Sequence, residues 1–274
     1  MQTTLLSPVL ADTPAAGPFW VSGGMPESIR CILTTRLDGT SQGAYSSLNM
    51  ALHVGDDPRR VRENRRLVFD VARINPDKAV IAQQVHGSTA ALVDENDSGC
   101  GTISHTDAVP GADGLVTRER GLPLMGFSAD CMLMALADES AGVLGLLHAG
   151  WRGMAGGIIQ NTISIMQKAG ADLSRLSVIA GPSIGPCCFE VGMEVAEKLG
   201  TRHMASRNES KAMYDLRAAA HARLLDCGVH GAQIRIETAC TCCREDVFFS
   251  HRRTVRNGEK HTGRMAMIVW MERE

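Results

Sequence analysis

The chain has 274 residues, with 28 basic against 30 acidic side chains, a formal net charge of -2, and 44% apolar but only 4% aromatic residues. That hydropathy at so little net charge excludes an intrinsically disordered chain, and 28 Gly, 10 Pro and 21% charged residues exclude collagen-like and coiled-coil compositions. A near-neutral balance without a basic stripe argues against nucleic acid as a partner, and no apolar run approaches the roughly 18 to 20 residues of a membrane span.

In chain order, residues 1–25 are rich in Pro, Gly, Ala and Thr without a sustained period and read as a mobile N-terminal leader; residues 26–274 read as a single catalytic domain. The first basic residue is Arg30 and Pro8 interrupts the early apolar stretch, so a secretory signal is not expected. With nine scattered cysteines, an odd number in a chain this long, a cytoplasmic location with reduced thiols or metal ligands fits better than a disulfide framework. Strand-like runs are expected at 31–35, 79–85, 89–93, 122–127, 132–137, 143–147, 176–180, 233–237 and 265–270. Helices are expected from Asp57 as N-cap with Pro58 at the first helical position, over 154–169 stopping at Gly170, and over 211–227 stopping at Gly228. Strands outnumber helices and several are joined by short turns. The expected fold class is therefore α/β, a mixed-sheet sandwich with flanking helices rather than a doubly wound parallel sheet.

Chemistry concentrates in SADCMLMALADESAGVLGLLHAGWRG, residues 128–153, where two apolar runs flank the turn Asp138-Glu139-Ser140-Ala141. Symmetric pairing about that turn sets Cys131 opposite His148, with Cβ atoms roughly 4.5 to 5.5 Å apart. The run before QQVHG delivers His86 from a third segment. One Cys and two His leave a fourth tetrahedral position open, as catalytic zinc requires. The competing reading is a small buried Cys and satisfied histidines, with the Ala149-Gly150 and Gly153 positions merely shaping a tight strand-to-helix turn.

QQVHG at 83–87, GADGLVT at 111–117, SADC at 128–131, HAGWRG at 148–153, GPSIGPCCFEVG at 181–192 and FFSHRR at 248–253 together resemble the YfiH/YlmD family, whose members are labelled laccase-domain or polyphenol oxidase proteins, purine nucleoside phosphorylases, or peptidoglycan editing factors. The resemblance runs from about Thr34 to Arg264. It implies a mixed α/β sandwich with zinc held by His86, Cys131 and His148, and it implies phosphorolysis of adenosine, inosine and methylthioadenosine together with adenosine deamination. Purine nucleoside and phosphate are then the small-molecule partners, and the protein a monomer or homodimer. Copper is the second choice of metal: a multicopper oxidase needs several further histidines, typically in HxH pairs, and none occurs among the nine histidines here.

Arg36 and Arg152 are the first candidates to hold phosphate, followed by Arg65 and Arg264. Ser46 and Asn49 in the SSLNM turn could hydrogen-bond ribose or phosphate, Gln84 could read a purine edge, and Asp130 could serve acid-base chemistry, although alternation along an extended segment sets it opposite Cys131. Cys188, Phe189 and Glu190 could face the pocket. Cys240-Thr241-Cys242-Cys243 lacks the paired CxxC units of structural zinc sites, so Cys242 and Cys243 are expected to be structural or incidental, and His251 stands where relatives often show Tyr. Two further readings stay open. In one, Cys131 is the nucleophile and His148 the base of a metal-independent amidase editing peptidoglycan precursors; in the other, the protein is a non-enzymatic partner with a vestigial metal site.

Overall fold

The longest apolar runs become strands covered on both faces. The computed structural model describes residues 17–20 and 24–273. In chain order its strands are β1 (Phe19–Trp20), β2 (Ile29–Thr34), β3 (Val80–Ile81), β4 (Ala90–Val93), β5 (Gly114–Thr117), β6 (Leu124–Ser128), β7 (Met132–Asp138), β8 (Val143–Ala149), β9 (Ser177–Ala180), β10 (Glu190–Gly192), β11 (Met204–Arg207), β12 (Lys211–Tyr214), β13 (Ile234–Ile236) and β14 (Met265–Met271). The α-helices are α1 (Pro58–Ala72), α2 (Trp151–Gly156), α3 (Ile158–Lys168), α4 (Met193–Leu199), α5 (Leu216–Asp226) and α6 (His251–Arg256).

Two large sheets form, one ordered β1-β2-β14-β6-β3 and the other β13-β9-β7-β8-β5-β4, with a small sheet β10-β12-β11 beside them. Both large sheets are mixed: β3 with β6, β13 with β9, and β4 with β5 run parallel, while the remaining pairs are antiparallel. All seven residues of β7 and all seven of β8 are buried, as strands covered on both faces require. Alternation divides them between two cores. Met132, Met134 and Leu136 pack with Ile159, Ile163 and Met166 of α3 and Leu224 of α5. Leu133, Ala135 and Ala137 pack with Met265, Met267 and Val269 of β14, across the space between the sheets. The outer face of β14 and β6, carrying Ile268, Met125 and Phe127, meets Val68 and Phe69 of α1. The layers are therefore helix, sheet, sheet and helix, an α/β sandwich of mixed sheets.

Several elements differ from the expectation, each for a local reason. Residues 79–85 yield only the two-residue β3, because Gln84 and His86 adopt φ of 43° and 59°, which no strand accommodates. The stretch 154–169 is two helices, since Gly157 at φ 88° ends α2 and opens α3. Residues 211–214 form a strand rather than the first turn of a helix; Asp215 accepts from the backbone of Arg217 and Ala218 and so starts α5 at Leu216, five residues later. The hairpin register is offset by two from the symmetric one: Asp138 pairs with Val143 and Leu133, not Cys131, lies opposite His148. Residues 1–16 and 21–23 of the expected leader lie outside the described residues, and within it Phe19–Trp20 pair with β2.

Candidate metal centre

A two-residue offset leaves face parity unchanged, so Cys131 and His148 still project to the same side of the hairpin. The Sγ of Cys131 and ring nitrogens of His86 and His148 lie within 4.8 Å of one another, and the two imidazoles meet edge to face with centroids 4.9 Å apart. His148 is the penultimate residue of β8, Cys131 immediately precedes β7, and His86 sits on the turn after β3. Three separate segments thus deliver the trio named from the sequence.

Asp113, which the sequence reading passed over, fastens two of these segments together, those of His86 and His148. Its carboxylate accepts from the backbone N–H of Val85, His86 and Gly87 at 3.1, 3.0 and 2.6 Å, and from His148 Nδ1 at 2.8 Å. Burial pushes this carboxyl up, but the bonds from His148 and Gly87 outweigh it and hold it below the usual carboxylate range. An ionised carboxylate only accepts, so Nδ1 carries the proton and Nε2 is left as the donor atom for a metal. The signal was present in GADGLVT, an acidic residue just ahead of a fully buried strand.

Burial raises the Cys131 thiol, yet the neighbouring His148 charge and hydrogen bonds from His148 and His86 outweigh that and bring it down to about 6. For His148, burial acts downward, and the Cys131 thiolate with the Asp113 carboxylate reverses it to about 9. The pair therefore favours thiolate and cation together. That is the charge state a divalent ion would meet and take over from the proton. Space agrees: a Cβ on Gly150 would stand 2.9 Å from Cys131 Sγ, 3.5 Å from His86 and 3.7 Å from His148, so only glycine lets the three donors share this volume. A Cβ on Gly153 would stand 2.6 Å from the Gly87 carbonyl, which lets α2 pack against the His86 turn. Two imidazoles and a thiolate suit zinc and leave a coordination position free, so the residues present fit such an ion.

The trio opens on a cavity of about 570 Å³ also lined by His53, Gln84, Phe127, Asp130, Trp151, Arg152, Phe189, His251, Arg252 and Arg264. Arg152 is exposed, stacks 4.4 Å from the Trp151 ring and makes no ion pair among the described residues. Arg264 donates through Nη1 to the Thr262 and Gly263 carbonyls, and burial pulls its guanidinium down from its usual value. Arg252, unremarked in the sequence, lies over the Phe189 ring.

Arg36, Ser46 and Asn49 line no part of this cavity. Arg36 spends its guanidinium on the Ser46 and Glu245 carbonyls, and Asn49 is fully buried between Ala51, Asp56 and the Arg264 backbone. Arg65 is likewise tied to Met50, Gly101 and Thr102 carbonyls. Gln84 lines the cavity, but its amide bonds both ways with the Phe127 backbone, imitating a rung of the sheet. Asp130, at φ 99°, accepts from Thr241 and from the Arg252 backbone at 2.6 Å each, which anchors the start of α6.

Among the described residues, one other group could hold a metal, Cys187, Cys188, Cys240 and Cys243. No histidine belongs to it, so among the described residues no second imidazole-bearing group of three or more ligands accompanies the first centre.

The chain has relatives among known proteins. The chain is 38% identical over 265 residues to a protein named purine nucleoside phosphorylase YlmD from Geobacillus stearothermophilus, covering 93% of this chain and 95% of the relative. It is 36% identical over 245 residues to one named adenosine deaminase RL5 from an unknown prokaryotic organism, covering 86% and 94%. The crystal structure of YlmD from Geobacillus stearothermophilus superposes with a TM-score of 0.89 over 96% of this chain and 99% of that one, at 36% identity. The family profile described as multi-copper polyphenol oxidoreductase laccase matches residues 30–272, and with these relatives it establishes that the chain belongs to the laccase-like YfiH/YlmD family.

Proposed function

We propose that the protein is a zinc-dependent purine nucleoside phosphorylase acting on adenosine, inosine and methylthioadenosine, with adenosine deaminase activity, and that residues 26–274 work as one catalytic unit in the cytoplasm. The observation that carries this reading is the convergence of His86, Cys131 and His148 on a cavity that also holds arginine and aromatic side chains. The names of the relatives support the substrate class, and nine free thiols among the described residues suit a reducing compartment. A zinc ion held by the trio would supply Lewis acidity for charge developing on the substrate.

The remaining work falls to the chain itself. Asp113 keeps His148 in one tautomer and one orientation, so the donor set is formed before substrate arrives. Arg152 and Arg264 are suited to phosphate, whose oxygens accept paired guanidinium donors. Phe189, Val191, Val195 and Leu216 offer apolar surface to a purine ring, and Arg252 beside Phe189 stiffens that wall.

Incubation of the purified protein with inosine and phosphate should release hypoxanthine and ribose 1-phosphate, and adenosine should give inosine and ammonia; stripping the metal with a chelator should stop both. Absence of either product from metal-replete protein would remove the proposal. One observation favours a second reading: His148 lies between Asp113 and Cys131 in the order base-orienting acid, base, nucleophile, as in a cysteine hydrolase. Turnover of a cell-wall precursor amide that survives chelation would select it instead.

A further inference from the structure

Outside the first centre, four thiols meet where the sequence pattern gave no reason to expect them. The Sγ atoms of Cys187, Cys188, Cys240 and Cys243 all lie within 4.8 Å of one another, and Cys243 Sγ is 3.5 Å from those of both Cys187 and Cys188. Four sulfurs at about 2.3 Å from a tetrahedral ion stand about 3.8 Å apart, so this spread matches a single small dication. An iron–sulfur cluster inserts several atoms between its thiolates and needs a wider cage. A disulfide from Cys243 to either near neighbour would strand the other, and all four are free thiols.

We propose that these four cysteines form a second metal site, a closed tetrathiolate centre for one zinc-class divalent ion. The local chain is built for it. Cys240 and Cys243 have CxxC spacing on one turn, closed by the Cys243 N–H to the Cys240 carbonyl; Cys187 and Cys188 sit on another, closed by the Cys188 N–H to the Gly185 carbonyl. A bridge between Ser183 and Cys240 and a bond from the Thr241 N–H to the Ser183 carbonyl hold the two turns together. The Gly185 N–H points at Cys240 Sγ, 3.2 Å away, and a Cβ on Gly185 would stand 3.3 Å from both Cys187 Sγ and Cys240 Cβ.

Four thiolates around a dication carry a net double negative charge, which needs cations nearby. Helix α6 brings them: Arg252 and Arg256 donate to the Cys188 carbonyl, Arg253 to those of Thr241 and Cys242, and Arg256 Nη1 lies 3.8 Å from Cys242 Sγ. With four protein ligands the site has no open position, so its role is to fasten two turns rather than to react. Those turns lead into Phe189 and Glu190 on one side and His251 and Arg252 on the other, all lining the catalytic cavity. The second ion thus fixes part of the wall of the pocket that the metal trio also lines.

Metal content of reduced, zinc-replete protein tests this. About two zinc per chain are expected in the unmodified protein and about one in both the C187S/C243S variant and the C131S/H148A variant. Reconstituted with cobalt, C131S/H148A should show the charge-transfer and ligand-field bands of a four-sulfur tetrahedral site, and X-ray absorption of its zinc form should show sulfur alone in the first coordination sphere. C187S/C243S should lose substrate affinity more than maximal rate. One zinc in the unmodified protein that is lost from C131S/H148A, a cobalt spectrum of C131S/H148A without thiolate bands, or an intact mass short by two hydrogens per pair would overturn the proposal. Should C187S/C243S not fold, C131S/H148A retains all four thiols and decides the matter alone, and failure at this site would leave the His86 centre and its nucleoside chemistry untouched.

Discussion

Two thiol-bearing centres share this fold and are built in opposite ways. The one at His86, Cys131 and His148 mixes nitrogen with sulfur, takes its donors from three distant segments and faces a cavity of about 570 Å³. The one at Cys187, Cys188, Cys240 and Cys243 uses sulfur alone, from two adjoining turns, and leaves no position for a reactant. Donor number and access, rather than the presence of cysteine, separate a centre that can transform a substrate from one that holds chain segments in place.

Substitutions should widen or erase that contrast. Cys131→Ala is expected to have the largest effect: removing Lewis acidity worth several kcal/mol should lower inosine phosphorolysis by about 10³-fold, with zinc falling by one equivalent while the all-sulfur site stays loaded. Gly150→Ala forces a Cβ against Cys131 Sγ and should empty the same centre with the chain still folded, checked by metal content and circular dichroism. Asp113→Asn keeps the shape but removes the charge that sets the His148 tautomer, so zinc affinity or turnover should fall by about 10 to 100-fold. Arg152→Ala should raise the KM for phosphate by about tenfold with little change in kcat, since this guanidinium has no other ion-pair partner among the described residues.

The smallest effect on turnover should come from Asp138→Asn, at the opposite end of the same hairpin. Asp138 accepts from Arg175, Ala141 and Asp172; burial acts to raise its carboxyl, but these bonds outweigh it and hold it below the usual carboxylate range. A depressed value means stability that is present at neutral pH and lost as pH falls through the folded-state value. The variant should lose about 2 kcal/mol at pH 7 and much less in acid, read as Tm against pH, while nucleoside turnover is retained.

The contrast between centres also explains what the sequence disclosed. Cys131 and His148 were legible because strands alternate: an error of two residues in hairpin register still leaves both on one face, whereas an error of one would have separated them. The mixed α/β architecture was legible because strand-like runs outnumber helices and several are joined by short turns. Asp113 was not, because its role is defined by where three backbone N–H groups arrive from another segment. Cys240 and Cys243 have ordinary CxxC spacing, but Cys242 between them and the adjacent pair Cys187-Cys188 hid it from a search for two separated CxxC units. Arg36 and Asn49 misled for the converse reason: polar side chains near a motif attract a functional reading, and only the fold shows their donors engaged by backbone carbonyls.

One carboxylate bonded at once to Val85, His86, Gly87 and His148 has a bearing on how the protein gains and loses its ion. Because covalently remote ligands are already tethered through Asp113, vacancy costs little reorganisation, and exchange of one metal for another can proceed on a standing scaffold. Treatment with a mild chelator should therefore yield inactive molecules that keep their melting cooperativity and recover on adding zinc back, in the manner of a socket rather than of a keystone.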